Sequence, residues 1–369
     1  MKYCKKCVMP DTKPGVQMDG RGFCNACRSQ ETKRKINWVE REKELKNILN
    51  KVMANNLSSY DCLVPVSGGK NSWYQAHAIK EKYGLKVLCC VMGAHLPTTE
   101  GIHNLNQMVK SVDLDIIKIT LKPSVYKALR KKTFMIQGEP NWGEHMTVFA
   151  GVTNIAIIYD IPLIVWGEDI AFEFGGVQTQ TSQADASDIG SNDLIKEKTI
   201  DDFLDNDIKK KDTFFYRYPD LKTETGKTIS SIYLGHFDFW EGRKHYEFVK
   251  TMGFLSRQKG PLSGNYIDYD NIDEKLCEIN IWLKYIKFGF WRPTDQTCYD
   301  IWNGWLTREE AIEIVNRLND EFPKEYFNDF LRFHNLTESE FWDTVEKFRN
   351  PEIWRKDKQD NWMMKYPLE

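Results

Sequence analysis

The sequence predicts an α/β protein with a parallel, Rossmann-like sheet, a cysteine-rich module before it and a helical region after it. Three observations carry this. Apolar runs at 61–66, 86–92, 115–120 and 163–166 alternate with helix-period segments. The first run enters the glycine-rich turn Ser67-Gly68-Gly69-Lys70-Asn71-Ser72. Cys4 and Cys7, then Cys24 and Cys27, form two C-x-x-C pairs separated by sixteen residues.

In chain order, residues 1–30 hold the two cysteine pairs, whose spacing fits a zinc knuckle module with four thiolate ligands. A disulfide framework needs an oxidising compartment, to which nothing else in the sequence points. Four protein ligands close the coordination sphere, so the predicted Zn²⁺ is structural. The cysteines at 62, 89, 90, 277 and 298 lie singly or adjacent within apolar stretches and read as core. A linker helix over 31–57 carries Trp38, Leu45, Ile48, Leu49 and Val52 at helical spacing.

The segment 58–260 reads as the nucleotide-binding α/β domain. Its first helix runs to about Tyr83 and ends at Gly84. A second spans 99–112, others 124–134 and 143–159, and the strand 163–166 leads into Gly167-Glu168-Asp169. Residues 175–231 are polar and aperiodic and read as an insertion over the sheet's rim, either a lid or an exposed loop. The C-terminal region, 261–369, is helical and aromatic-rich, with a helix capped at Thr307 and Glu310 in the capping-box position.

Ligands of parallel sheets sit beyond the strands' carboxyl ends, so the turn 67–72 and Gly167-Glu168-Asp169 face one rim. Gly68 and Gly69 let successive N–H groups converge, the following helix adds its positive end, and Lys70 adds a charge. The spacing is not that of G-x-x-x-x-G-K-[ST]. It resembles the PP-loop signature S-G-G-x-D-S, whose members attack the α-phosphate of ATP and release pyrophosphate. That resemblance implies a pyrophosphate cradle of Ser67, Gly68, Gly69, Lys70 and Ser72, with Lys70 neutralising charge.

Asn71 stands where the signature has Asp; it keeps the shape and loses the charge, which predicts slow turnover accelerated by Asn71→Asp. Glu168 and Asp169 are further catalytic candidates, to bind metal, orient a nucleophile or accept its proton; a helix cap or a structural ion pair is the competing role. His95 follows the second strand, and Arg292 could meet an anionic substrate or a structural carboxylate.

The chain of 369 residues has 41% hydrophobic residues and a net charge of −2, without the electropositive surplus of a protein that grips nucleic acid. No segment has the pattern of a secretion signal or a membrane span, and the expected location is cytoplasmic.

Together, Cys4-x-x-Cys7 with Val8-Met9-Pro10-Asp11-Thr12, Cys24-Asn25-Ala26-Cys27, Val64-Pro65-Val66-Ser67-Gly68-Gly69-Lys70, Ile164-Val165-Trp166-Gly167-Glu168 and Lys287-Phe288-Gly289-Phe290 resemble the N-acetyl sugar amidotransferases. The resemblance covers essentially the whole chain. It implies an adenine nucleotide α-hydrolase-like fold, ATP with Mg²⁺, and a nucleotide-activated N-acetyl sugar of bacterial surface glycans, such as pseudaminic acid or lipopolysaccharide precursors. It also implies ammonia from a separate glutaminase; no G-x-C-x-G elbow is present here. A tRNA-thiolating PP-loop enzyme is the rival, and a zinc-ribbon adaptor with an inactive nucleotide fold is a third reading. For the first, the chain lacks a catalytic cysteine pair in the α/β domain and a basic surplus; ATP binding would separate the second.

Overall fold

The computed structural model describes residues 1–175, 184–187, 198–221 and 228–369. Five strands, β1 (Cys62–Pro65), β2 (Val87–Met92), β3 (Asp115–Ile119), β4 (Leu163–Trp166) and β5 (Ser230–Tyr233), form one all-parallel sheet in the order β3-β2-β1-β4-β5. Helices α1 (Asn25–Lys33) and α2 (Trp38–Asn55) precede it. Helix α3 (Lys70–His77) follows β1 and continues as a π-turn over Ala78–Lys82, and α4 (Thr99–Val112) follows β2. Between β3 and β4 lie α5 (Pro123–Gln137) and α6 (Trp142–Ile158); α7 (Ile170–Phe174) follows β4, and α8 (Leu234–Phe237) and α9 (Gly242–Lys250) follow β5.

The central strands β2, β1 and β4 are buried on both faces, which explains their unbroken apolar runs. Val64, Cys89 and Val165 join one core with Leu45 and Leu49 of α2, Trp73 of α3, Met108 of α4 and Val249 of α9. Leu63, Leu88 and Ile164 join the other with Leu129 of α5 and Phe149 and Val152 of α6. Of the polar stretch expected to cover the rim, the described residues lie partly in the second core. Ile200, Phe203, Ile208 and Tyr216 are buried in this second core, Phe203 packing on Trp142 with ring centroids 4.6 Å apart, and residues 176–183, 188–197 and 222–227 lie outside the described residues. Phe203 and Tyr216 are core anchors, and β5, unexpected from sequence, closes the stretch.

The C-terminal region folds as α10 (Cys277–Phe288), α11 (Arg292–Asn303), α12 (Arg308–Leu318), α13 (Phe327–His334) and α14 (Glu338–Phe348), then a hairpin of β6 (Trp354–Lys356) and β7 (Trp362–Met364). The Thr307–Glu310 capping box forms as predicted, and Thr337 with Glu340 makes a second. Among the described residues no helix is long and apolar enough to cross a membrane.

Candidate active site and metal centre

Strand order reverses direction at β1, whose neighbours are β2 on one side and β4 on the other. The turns leaving β1 and β4 therefore diverge and open a crevice, the place where parallel sheets bind ligands. A cavity of about 510 Å³ occupies it. Ser67, Gly69, Lys70, Asn71 and Ser72 line its floor, Met92, Phe149 and Trp166 an apolar side, and Glu168 and Trp240 the rim. Tyr269, Asp270, Arg292, Gln296 and Asp300 close it from the C-terminal side.

The loop is built for close backbone approach. Gly68 has φ +88°, and a Cβ there would stand 2.8 Å from the Leu105 amide nitrogen. The Ser67 amide donates to Ser72 Oγ at 3.2 Å, the Gly69 amide to Ser67 Oγ at 3.2 Å, and the Ser72 hydroxyl to the Gly69 carbonyl at 3.1 Å. Both hydroxyls rotate, so these amides can be handed to phosphate oxygens at the start of α3. Lys70 Nζ lies 2.5 Å from Asp270 Oδ1, and Gln296 donates to Asp270 Oδ2 at 3.3 Å. Burial alone would raise Asp270, but Lys70 and Arg292 beside it hold the carboxyl below its ordinary value.

Asn71 is bonded on both ends of its amide. Nδ2 donates to Glu168 Oε2 at 3.3 Å, and Oδ1 lies 3.1 Å from His245 Nδ1. Trp240 Nε1 donates to the same Glu168 oxygen at 2.9 Å. Burial raises the Glu168 carboxyl, opposed by the Trp240 bond and by Lys70. Asp169, its predicted partner, has a different position: its Oδ1 accepts from the Phe172 amide at 3.2 Å, the capping role at the start of α7. His95 stacks on Tyr126 at 4.1 Å between centroids. Arg292 reaches the cavity, 3.7 Å from Glu278, with Nε and Nη2 buried and making no hydrogen bond.

The four predicted ligand cysteines meet. Cys4 and Cys27 sulfurs are 3.8 Å apart, Cys7 and Cys24 3.7 Å, and all four lie within 4.8 Å of one another, a group that could hold a metal ion. A tetrahedron with metal–sulfur bonds of about 2.3 Å has edges of about 3.8 Å, so the donor set fits Zn²⁺. Backbone amides of Lys6, Met9, Cys24 and Cys27 donate to these sulfurs, and Trp302 Nε1 of α11 donates to Cys27 at 3.2 Å. Cys24 also caps α1, through which Lys33 reaches a wholly buried Glu173 at 2.6 and 2.8 Å and the Trp240 carbonyl at 2.6 Å. Among the described residues no group of three or more carboxylates of this kind forms.

Sequence reading missed Asp270, His245 and Trp240 as site residues. The acidic, aromatic run Tyr266-Ile267-Asp268-Tyr269-Asp270 ahead of α10 was an available signal for the first. Trp240 lies between α8 and α9 and His245 on α9, with nothing local to mark either.

Residues 263–367, which supply the wall formed by Tyr269, Asp270, Arg292, Gln296 and Asp300, match the family model described as LPS biosynthesis protein WbpG-like, C-terminal domain. Over 115 residues the chain is 28% identical to the uncharacterized protein MJ1599 of Methanocaldococcus jannaschii, covering 31% of this chain and 41% of that protein. The chain thus spans about two fifths of the length of the curated relative it matches. Among solved structures it is similar to the NMN synthetase from Francisella tularensis, with TM-score 0.37, 13% identity and coverage of 82% of this chain and 98% of that one. It is also similar to the NH3-dependent NAD synthetase from Campylobacter jejuni, with TM-score 0.29, 14% identity and coverage of 35% and 56%. Neither superposition is close enough to transfer a residue or a reaction, and the C-terminal match to an LPS biosynthesis domain is the one that bears on this cavity.

Proposed function

We propose that the protein is an ATP-dependent amidotransferase of surface-polysaccharide biosynthesis, converting the N-acetyl group of a nucleotide-activated sugar to an acetamidino group. The observation that carries this reading is the shared cavity: a loop of PP-loop pattern forms its floor, and the segment matching an LPS biosynthesis domain forms its opposite wall.

An amide carbonyl is a weak electrophile with no leaving group, because nitrogen donates into it. Attack of its oxygen on the α-phosphorus of ATP forms an O–P bond, breaks the α–β phosphoanhydride bond and expels pyrophosphate. Ammonia then adds to the imidate carbon, the C–O bond breaks, AMP leaves, and the amidine remains. The amides of Ser67 and Gly69 and the Lys70 ammonium would hold the departing pyrophosphate. Glu168 would orient ammonia or take its surplus proton. Mg²⁺, with ATP, would neutralise phosphate charge, Zn²⁺ would hold the cysteine module, and a separate glutaminase would supply ammonia.

The thiolation rival finds no support at the cavity. Among the described residues Cys90 is the cysteine that lines it, and burial pushes its thiol up to about 12, away from the thiolate that sulfur transfer needs. The test incubates the protein with ATP, Mg²⁺, an ammonium salt and a panel of N-acetylated nucleotide sugars. AMP, pyrophosphate and a product lighter by the difference between O and NH are expected. Thiolated tRNA with a sulfide donor, and no sugar amidinated, would replace this reading with the rival.

A further inference from the structure

His245 lies at the centre of the loop's polar contacts although nothing in its local sequence marks it. It stands on α9, 3% exposed, stacked on Tyr74 with centroids 3.9 Å apart and 11° between planes, and set edge-on to Trp240 at 4.6 Å. Gly242 lets α9 come this close: a Cβ there would meet Lys70 Cε at 3.2 Å and Asn71 Oδ1 at 3.4 Å.

The hydrogen-bond directions follow from what each group can do. A Glu168 carboxylate can only accept, so the nitrogen end of the Asn71 amide faces it, and the oxygen end faces His245. His245 must therefore carry its proton on Nδ1. Burial, with Lys70 and Lys33 as the nearby cations, keeps the ring neutral. Glu168 also faces this network through Asn71 and Trp240.

The geometry points to His245 as a positioning residue that, by donating from Nδ1 to Asn71, fixes the loop amide so that its other end holds the Glu168 carboxylate over the phosphate loop. Asn71 then bridges a neutral imidazole to a carboxylate. An aspartate at 71 would set two carboxyl groups against each other, lose the donor to Glu168 and draw a proton onto His245. Asn71→Asp should therefore slow the reaction, contrary to what the loop pattern alone suggests.

The inference rests on the cavity being the ATP site for its kinetic arm and stands without that for its spectroscopic arm. Nitrogen-15 spectra of the histidine rings report tautomers directly, and the chain has 7 histidines to assign. His245 should be neutral with its proton on Nδ1, and in Asn71→Asp it should become doubly protonated. In the kinetic arm, His245→Phe keeps the ring and removes the donor, whereas His245→Asn keeps a donor at the Nδ1 position. His245→Phe should lower kcat for pyrophosphate release on the order of tenfold with KM for ATP little changed, and His245→Asn should recover most of that loss. An Nε2-protonated or charged ring in the parent protein would overturn the inference. So would equal losses in the Phe and Asn variants, or a faster Asn71→Asp enzyme. Failure of the parent to bind ATP would sink the functional reading and leave the tautomer result to decide this one.

Discussion

Replacing Lys33 by methionine removes an ammonium surrounded by three acceptors, the two Glu173 oxygens at 2.6 and 2.8 Å and the Trp240 carbonyl at 2.6 Å. Both side chains of the pair are 1% exposed, so water cannot take the ammonium's place beside Glu173. Removing one member of a buried pair costs about 3–5 kcal/mol, because the other is left charged in apolar surroundings. Burial has already pushed Glu173 up to about 7 against the pull of Lys33, so uptake of a proton limits the loss to the lower end, about 3 kcal/mol near neutrality. The pH dependence has a definite sign. A carboxyl whose folded pKa exceeds its unfolded value contributes fully below the unfolded value and loses that contribution as pH rises through the folded one. Lys33→Met should thus lie nearest the parent close to the unfolded Glu value of 4.5 and fall behind as pH rises through 7 and beyond. Lys33→Met combined with Glu173→Gln should recover more than half of the deficit, since no buried charge is then left alone. Urea unfolding followed by far-ultraviolet circular dichroism at about pH 5 and about pH 8 measures both. A single variant within about 1 kcal/mol of the parent at the higher pH, or a double variant no better than the single, would refute the reasoning.

Three further outcomes are expected. Gly68→Ala should abolish ATP binding measured by calorimetry and lower stability by about 1–3 kcal/mol, because a Cβ at φ +88° would lie 2.8 Å from the Leu105 amide. Elemental analysis should find one zinc per chain in the parent and little in Cys24→Ser, with the variant's loss of stability larger than its change in nucleotide affinity. Glu274, pushed up to about 8 by burial against Arg130, destabilises the fold progressively as pH rises from about its unfolded 4.5 through 8; Glu274→Gln should flatten that decline in a thermal-unfolding series.

Of the strands legible in the sequence, β1, β2 and β4 are buried on both faces and Leu63-Val64 and Val87 to Val91 are apolar at every position, whereas β3, at the sheet's edge, was legible from Ile116, Ile117 and Ile119 despite being partly exposed. Strand β5 was hidden because Ser230-Ser231-Ile232-Tyr233 is short and polar, and its identity comes from pairing with β4. Helix α1 was hidden for another reason: Cys24 serves both as ligand candidate and as helix cap, and only the first role has a spacing signature. Of the site, the loop and Glu168 could be read because each follows directly from a strand end. His245 could not, because its meaning lies in a contact 174 residues away along the chain, and Asp270, in an acidic and aromatic run, gains its role only from Lys70, 200 residues away. Asp169 shows the limit from the other side, since a carboxylate before a helix fits both a catalytic role and a cap, and the hydrogen bond to Phe172 supplies the latter.

The bond from Trp302 to the Cys27 sulfur joins groups 275 residues apart. Contacts of such separation form late, after the loop-closure entropy of the intervening chain has been overcome. The four cysteines, by contrast, lie within 23 residues of one another, so gathering them around a metal would close only short loops. On this loop-length argument the module is expected to form before α11 docks on it. Arg308, donating to the carbonyls of Cys4 and Cys7, completes that docking from α12. A chain starved of metal should then be arrested at its last folding step, with the sheet formed and the C-terminal helices unseated, which would make metal supply a kinetic determinant of how much finished protein a cell accumulates.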